Sequence, residues 1–359
     1  MKEVYSVKEA EVIERIPEAL AKALQDVPLA KIDDIAREVT TGDGMRADLL
    51  IRVQILGRQR TLVFDVKASG QPKPARDSIA QLARITLGSV GREAYPVFAA
   101  PYVSDATAAL LKDSEIGYLD LAGNCRLAFR DAYVEKTCAS APKERRGEPS
   151  LFSPKASRVL RVLLNEPKRD WQVQQLAKAA EVSIGLTSRI KTELVEREWV
   201  TVAASGVRLV QPETALRAWA EAYDYRQNRL FEYYSPDTLG DAETAIAEWC
   251  RESGIKYALT GFSGARLSSP RVRYNRATIY VQSKIDSVAM NTRLKPVDSG
   301  GNVVLLKPFD DGVFEGVETR YGLQTVSPAQ LYADLRSIAG RGDEAAEEIL
   351  ERELRPSWQ

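Results

Sequence analysis

The 359-residue chain has no histidine, three cysteines and equal numbers of basic and acidic residues, 50 against 50. Each shortage excludes something. Without histidine the chain lacks the usual general base, the commonest metal ligand and every Ser-His or Cys-His dyad. Any catalysis must then rest on carboxylates, lysine and an oxygen-bound metal. Cys125, Cys138 and Cys250 stand singly with no Cys-x-x-Cys spacing, which argues against a disulfide framework and a structural zinc site. They read as ordinary buried thiols. No run of about 18 apolar residues occurs, and the opening "MKEVYSVKEAEVIERIPEAL" alternates charge, so no membrane partner is expected and the location is expected to be cytoplasmic. The balanced charge points to no nucleic-acid coat; any basic surface must be local.

A chain of this length is expected to hold two or three cores. "SAPKERRGEPS" lacks apolar periodicity and carries prolines, a glycine and a charge run, so it reads as a linker. The expected organisation is a first domain over 1–139, a linker over 140–150, a second domain over 151–211 and a third over 212–359. Residues 151–211 hold ten basic residues against six acidic ones, a local excess of four positive charges. Together these predict a multidomain protein of mixed α/β and α+β class.

In the first segment a helical apolar spacing runs from about Val7 to Gln25. Two strand-like runs follow, Asp48 to Ile55 and Thr61 to Lys67, joined by a hairpin over Leu56 to Arg60. A helix from about Ala75 to Leu87, a strand "YPVFAAP", a helix from Ser104 to Lys112 and short strands in "GYLDLAGNCRLAF" complete the pattern. That order resembles the restriction-endonuclease-like core. In that fold two carboxylates hold magnesium and a lysine two residues after the second orients or deprotonates water. Side chains at i and i+2 of a strand share a face, so Asp65 and Lys67 are expected in one site, with Asp48 reaching it from the neighbouring strand. Mg2+ at Asp48 and Asp65 suits a chain without histidine, and Gln81 is expected beside the site. An acidic-x-Lys triplet is weak on its own, since Glu166-Pro167-Lys168 has the same form in a plain loop. Whether a nuclease-like site is an active metal-dependent endonuclease is left open by fold alone.

In the second segment, "SPKASRVLRVLLNEP" suits a helix with Ser153 as cap and Pro154 at its first position. "WQVQQLAKAAEVSIGLTSRIKTELVEREWVTV" then gives helix, three-residue turn, helix. The latter helix buries Leu186, Ile190 and Leu194, with Ser183 as cap. Gly185, Ser188 and Thr192 fall on the opposite face, flanked by Arg189 and Lys191. The runs "VTVAA" and "VRLVQ" around Ser205-Gly206 form a short hairpin. The whole predicts a winged helix-turn-helix that binds double-stranded DNA, although some such modules only pack domains or bind protein.

In the third segment, "PETALRAWAEAYDYRQNRL" and "DAETAIAEWCRESG" read as helical. "YALTGFSGARLSSP" resembles the opening of a nucleotidyltransferase, but Gly264-Ala265-Arg266 supplies none of the paired acids that such chemistry needs, so an inactive scaffold is expected. Strands "RATIYVQ" and "NVVLLKPFD" follow, then a helical pair capped by Ser327 with Pro328 at its first position.

"GYLDLAGNCRLAF", "YALTGFSGARL" and "VSPAQLYADL...GRGDEAAE" together look like the AbiEi family, the antitoxins of type IV toxin-antitoxin (abortive infection) systems. The resemblance runs from about Asp48 onward and is most specific in the last third. It implies a DNA-binding repressor of its own operon that opposes a nucleotidyltransferase-like toxin. Shorter members begin with the winged helix, whereas here it is central. The alternative is a magnesium-dependent PD-(D/E)xK-type DNA nuclease targeted by the winged helix.

Overall fold

The computed structural model describes residues 7–40, 46–87, 94–138, 150–268 and 274–359. The expected linker lies outside the described residues except for Ser150. The chain is a mixed α/β protein that divides into two compact units, Met1–Arg146 with Glu196–Glu198 and Gly147–Val195 with Trp199–Gln359.

The first unit opens with α1 (Val7–Leu24), followed by β1 (Lys31–Thr40), β2 (Arg46–Ile55) and β3 (Arg58–Val66). Then come α2 (Pro72–Leu87), β4 (Ala94–Ala100), α3 (Asp105–Asp113), β5 (Gly117–Asp120), β6 (Cys125–Ala128) and β7 (Tyr133–Lys136). The strands lie side by side in sequence order in one sheet; the β3, β4 and β5 neighbours are parallel and the other pairs antiparallel. Strand alternation divides the side chains between two cores. Leu62, Phe64 and Val66 of β3 pack with Val12, Ile16 and Leu20 of α1, whereas Val63 packs with Ala75, Leu82 and Ile85 of α2 and Leu111 of α3. The sheet is therefore covered on both faces. Strand β1 has no counterpart in the sequence reading. Its exposed, charged pattern carries no period, and backbone pairing to β2 holds it in place. The β2–β3 hairpin is tighter than expected: Ile55 pairs with Arg58, and Leu56 and Gly57 both take positive φ (51° and 77°), as a two-residue turn of the primed type requires.

The second unit begins with α4 (Pro154–Asn165), α5 (Val173–Ala179) and α6 (Ile184–Glu196), then the antiparallel pair β8 (Val200–Ala203) and β9 (Gly206–Leu209). After α7 (Pro212–Ala222) come β10 (Arg229–Tyr234), α8 (Leu239–Glu252), β11 (Tyr257–Leu259), α9 (Gly261–Ser268), β12 (Ala277–Val281) and α10 (Ile285–Asn291). The chain ends with β13 (Lys295–Pro296), β14 (Val303–Lys307), β15 (Glu318–Arg320), β16 (Leu323–Thr325), α11 (Pro328–Arg336), α12 (Gly342–Ile349) and a final short helical stretch. Its second sheet runs β13-β10-β14-β12-β11-β16-β15.

Several local expectations change. The stretch read as one helix to Leu230 stops at Ala222; Asp224 caps a single 3-10 turn, and Arg229-Leu230 enter β10. Ser153 occupies the cap position of α4 but makes no capping bond with its side chain, whereas Ser327 accepts from the Gln330 amide at 3.3 Å, as expected. Cys125 and Cys250 are buried, but Cys138 is exposed. Among the described residues no helix is long and apolar enough to cross a membrane.

Candidate functional site

In the first unit the β2–β3 register pairs Leu49 with Phe64. Alternation from that pair puts Asp48 and Asp65 on the same face of the sheet. Asp65 is 1% exposed and Asp48 8%. The Lys67 ammonium donates to Asp65 Oδ1 at 2.9 Å, the Ser78 hydroxyl of α2 donates to Asp65 Oδ2, and the Val66 amide donates to Asp48 Oδ2 at 2.7 Å. Asp48, Asp65 and Lys67 are thus brought together. Gln81 is held differently: its side-chain amide donates to the Arg46 carbonyl at 3.2 Å. The residue of α2 that touches Asp65 is Ser78, one turn earlier. A fully buried serine in the apolar stripe Ala75, Leu82, Ile85 is the sequence signal that could have marked it. Glu9 of α1 is a second addition, accepting from the Ala68 amide at 3.3 Å. No spacing in the sequence connects it to the triplet.

Burial pulls the Lys67 ammonium toward release of its proton, but Asp65, its hydrogen bond, Asp48 and Glu9 outweigh that and raise its pKa above the ordinary value. Beside these carboxylates the Lys67 ammonium is held in its charged form and can orient or neutralise an anion. A divalent cation held by two carboxylates needs carboxylate oxygens turned toward it. Here both Asp65 oxygens accept from protein donors, Lys67 on one and Ser78 on the other. Among the described residues no group of three or more His, Cys, Asp or Glu is placed to hold a metal ion.

In the second unit, Ile190 and Leu194 of α6 are fully buried, Leu186 is half-buried against the same core, and Thr187 is buried beside them. Ser183 caps the helix by accepting from the Leu186 amide at 3.2 Å. Gly185 and Thr192 are exposed, and Ser188 and Lys191 half-buried. Arg189 bonds Glu193 at 3.0 Å, so its charge is partly answered within the helix. The Thr192 hydroxyl donates to the Ser188 carbonyl at 3.2 Å. The sequence reading missed Ile184, 54% exposed at the head of this face. Its only signal is an isoleucine outside the buried stripe.

The three helices are joined to the remainder of their unit by buried polar contacts. Arg161 of α4 is fully buried; its Nε donates to Gln330 of α11 at 2.8 Å, and its guanidinium lies 4.9 Å from the Trp219 ring centre. The Gln330 amide donates to Asp334 at 2.9 Å, and Asp334 also accepts from Tyr280 at 3.0 Å and Thr260 at 2.5 Å. Neighbouring Arg158 pairs with Asp310 at 2.9 Å. In "GFSGARL" the Ser263 hydroxyl accepts from the Thr278 amide at 3.0 Å. A Cβ on Gly264 would come within 2.9 Å of Leu331 and 3.0 Å of the Thr325 hydroxyl. This turn serves close packing of α9.

The protein is thus a two-unit α/β chain with a basic helical module built into its second unit. Residues 208–355 match the AbiEi_2 family model, described as a transcriptional regulator, the AbiEi antitoxin of a type IV TA system. In this C-terminal part the chain is similar to the AbiEi antitoxin family. The match takes in two of the three stretches that carried the resemblance; "GYLDLAGNCRLAF" lies outside it. No curated protein matches the chain. Among solved structures it is similar to the crystal structure of a repair endonuclease from Pyrococcus abyssi, at 17% identity and a TM-score of 0.25, over 33% of this chain and 49% of that chain. It is also similar to the structure of EndoMS in apo form, at 16% identity and a TM-score of 0.23, over 33% of this chain and 47% of that chain. The chain spans about half the length of these structures, and likeness of that degree fixes no function.

Proposed function

We propose that the protein is a DNA-binding transcriptional regulator, the antitoxin of a type IV toxin-antitoxin system that represses its own operon. Residues 151–211 act as a winged helix-turn-helix: α6 enters the major groove with Gly185, Ser188 and Thr192, Arg189 and Lys191 face phosphates, and the β8–β9 hairpin is the wing. One observation carries the reading. The segment that matches the antitoxin regulators lies in the same compact unit as a helical module with four excess positive charges. Residues 212–359 form the AbiEi-type domain, a nucleotidyltransferase-like scaffold without paired acids, whose partner is a nucleotidyltransferase-like toxin. Gel-shift titration of the full chain against random duplex DNA over a range of salt tests the reading. Affinity should fall steeply as salt rises, and Lys191→Ala should weaken all duplexes alike. Failure to retain any duplex at low salt sinks it.

The second reading is a restriction-endonuclease-like domain that cuts DNA with magnesium, and the Asp48, Asp65 and Lys67 cluster is what favours it. A divalent ion there would share the Asp65 carboxylate with Lys67 and Ser78. Cleavage that appears with magnesium or manganese and disappears in Asp65→Ala would establish this reading; the expected result is no cleavage.

A further inference from the structure

The outer face of α6 holds two features that the folded chain itself does not require. Ile184 is more than half exposed, while Val182 and Leu186 on either side pack against the core. It heads the row Ile184, Ser188, Thr192, whose four-residue spacing forms one ridge along the helix. The second feature is Gly185. Its φ is not positive, and a Cβ there would meet nothing within 4 Å. Glycine weakens a helix relative to alanine, so neither backbone nor packing calls for it. Gly240 of α8 has the same open surroundings, so a bare glycine alone decides nothing. In α8, however, the preceding Leu239 packs against the core; in α6 the preceding Ile184 faces outward.

The polar groups of this face are largely engaged. The Ser183 hydroxyl caps the helix, the Thr192 hydroxyl is turned back to the Ser188 carbonyl, and Arg189 is paired with Glu193. With Arg189 Nη1 on Glu193 and Nη2 buried, the face presents no exposed arginine fork, the commonest reader of guanine. What it presents first is an apolar side chain beside a residue with no side chain.

We propose that Ile184 reads a thymine 5-methyl group in the major groove, and that Gly185 admits the helix close enough to the base edges for that contact. The inference rests on α6 being the recognition helix. The thymine methyl is the one apolar group on the major-groove edges, and recognition helices lay their N-terminal residues on those edges. Specificity then depends on thymine placement, with the basic residues supplying affinity for any duplex.

The test begins by selecting duplexes from a randomised library with the full-length protein at low salt. Each thymine of the selected duplex is then replaced by deoxyuridine, which removes the methyl and leaves every hydrogen-bonding group. At one or two positions the wild type should lose about three- to fivefold in affinity, the effect of burying one methyl. Ile184→Ala should bind thymine and uracil versions equally, and Gly185→Leu should weaken the selected duplex more than it weakens random duplex. Circular dichroism melts of both variants check that they fold. A selected duplex indifferent to every methyl, or an Ile184→Ala protein that still senses them, overturns the inference and leaves DNA binding standing. Absence of binding to any duplex overturns the DNA-reader assignment itself, and this inference with it.

Discussion

Arg217 of α7 and Glu347 of α12 form a two-pronged pair, with parallel bonds of 2.7 and 2.8 Å. Tyr332 of α11 joins them, accepting from Arg217 and donating to Glu347, both at 3.1 Å. Planar guanidinium and carboxylate match in this geometry, which makes the pair stronger than a single-contact bridge. Three helices are thereby tied at one point of the second unit.

Removing that pair has a small effect with a defined pH signature. Both side chains are more than a third exposed (39% and 41%), so solvent screening holds the coupling to about 0.5–1 kcal/mol. The hydrogen bond from Arg217 keeps the Glu347 carboxyl below its ordinary range. A depressed carboxyl stabilises the fold above its unfolded pKa of about 4.3 and loses that contribution as pH falls through the folded value. Urea titrations should therefore show Glu347→Gln less stable than wild type at pH 7, with the gap narrowing below about pH 4. An equal gap at both pH values would refute the assignment.

Asp65 is expected to matter for stability whether or not it ever binds metal. Replacing it with alanine strips the partner from a largely buried ammonium and from the buried Ser78 hydroxyl, at a cost of about 2–4 kcal/mol. Lys67→Met in the Asp65→Ala background should recover part of the loss by removing the orphaned charge. Denaturation midpoints of the single and double variants decide the matter; a double variant no better than the single one would show that the charge is not the cause.

Arg161 offers a sharper contrast between two substitutions at one site. Alanine leaves a cavity beside Trp219 and takes the donor from Gln330, and about 3–5 kcal/mol should be lost. Methionine fills much of that volume without a charge to desolvate, so it should cost well under half as much. The comparison is read from chemical denaturation, and equal losses would mean that the polar contact, not the volume, dominates.

The thiols give a simple check on burial. Burial pushes the Cys125 and Cys250 thiols up to about 12. Cys138 is exposed. A thiol-reactive dye at pH 8 should label one cysteine in the native protein and three after unfolding. Labelling of Cys125 or Cys250 at the native rate of Cys138 would contradict the packing of their cores.

Much of this arrangement was legible because strand and helix periods leave a mark on sequence. The β2 and β3 runs are apolar enough to read as strands, and the acids near their ends fall on one face of the sheet. The stripe Ile190 and Leu194 likewise fixed which face of α6 turns outward. Strand β1 left no mark, since "KIDDIAREVT" is charged on both faces and Glu38 takes a positive φ of 50°. Only a partner strand could reveal it. The helix read through Leu230 failed because Tyr and Arg suit helix and strand alike, and the Asp224 cap that ends the run is a single residue. Ser78 and Glu9 reach the triplet from separate helices, a relation that exists only after folding.

The joint at Arg161 restricts how a gene for this protein can be recombined. Its α4 side carries a buried guanidinium whose hydrogen-bond acceptor, Gln330, lies 169 residues away. A splice that exchanged residues 151–211 for an unrelated helical module would leave Gln330 and Asp334 facing an unmatched surface. The reverse transplant would carry a buried charge into a fold without its acceptor, a penalty of several kcal/mol against total stabilities of about 5–15. On the proposed DNA-reading role, a change of sequence preference would come more readily from substitutions on the outer face of α6 than from exchange of the whole segment.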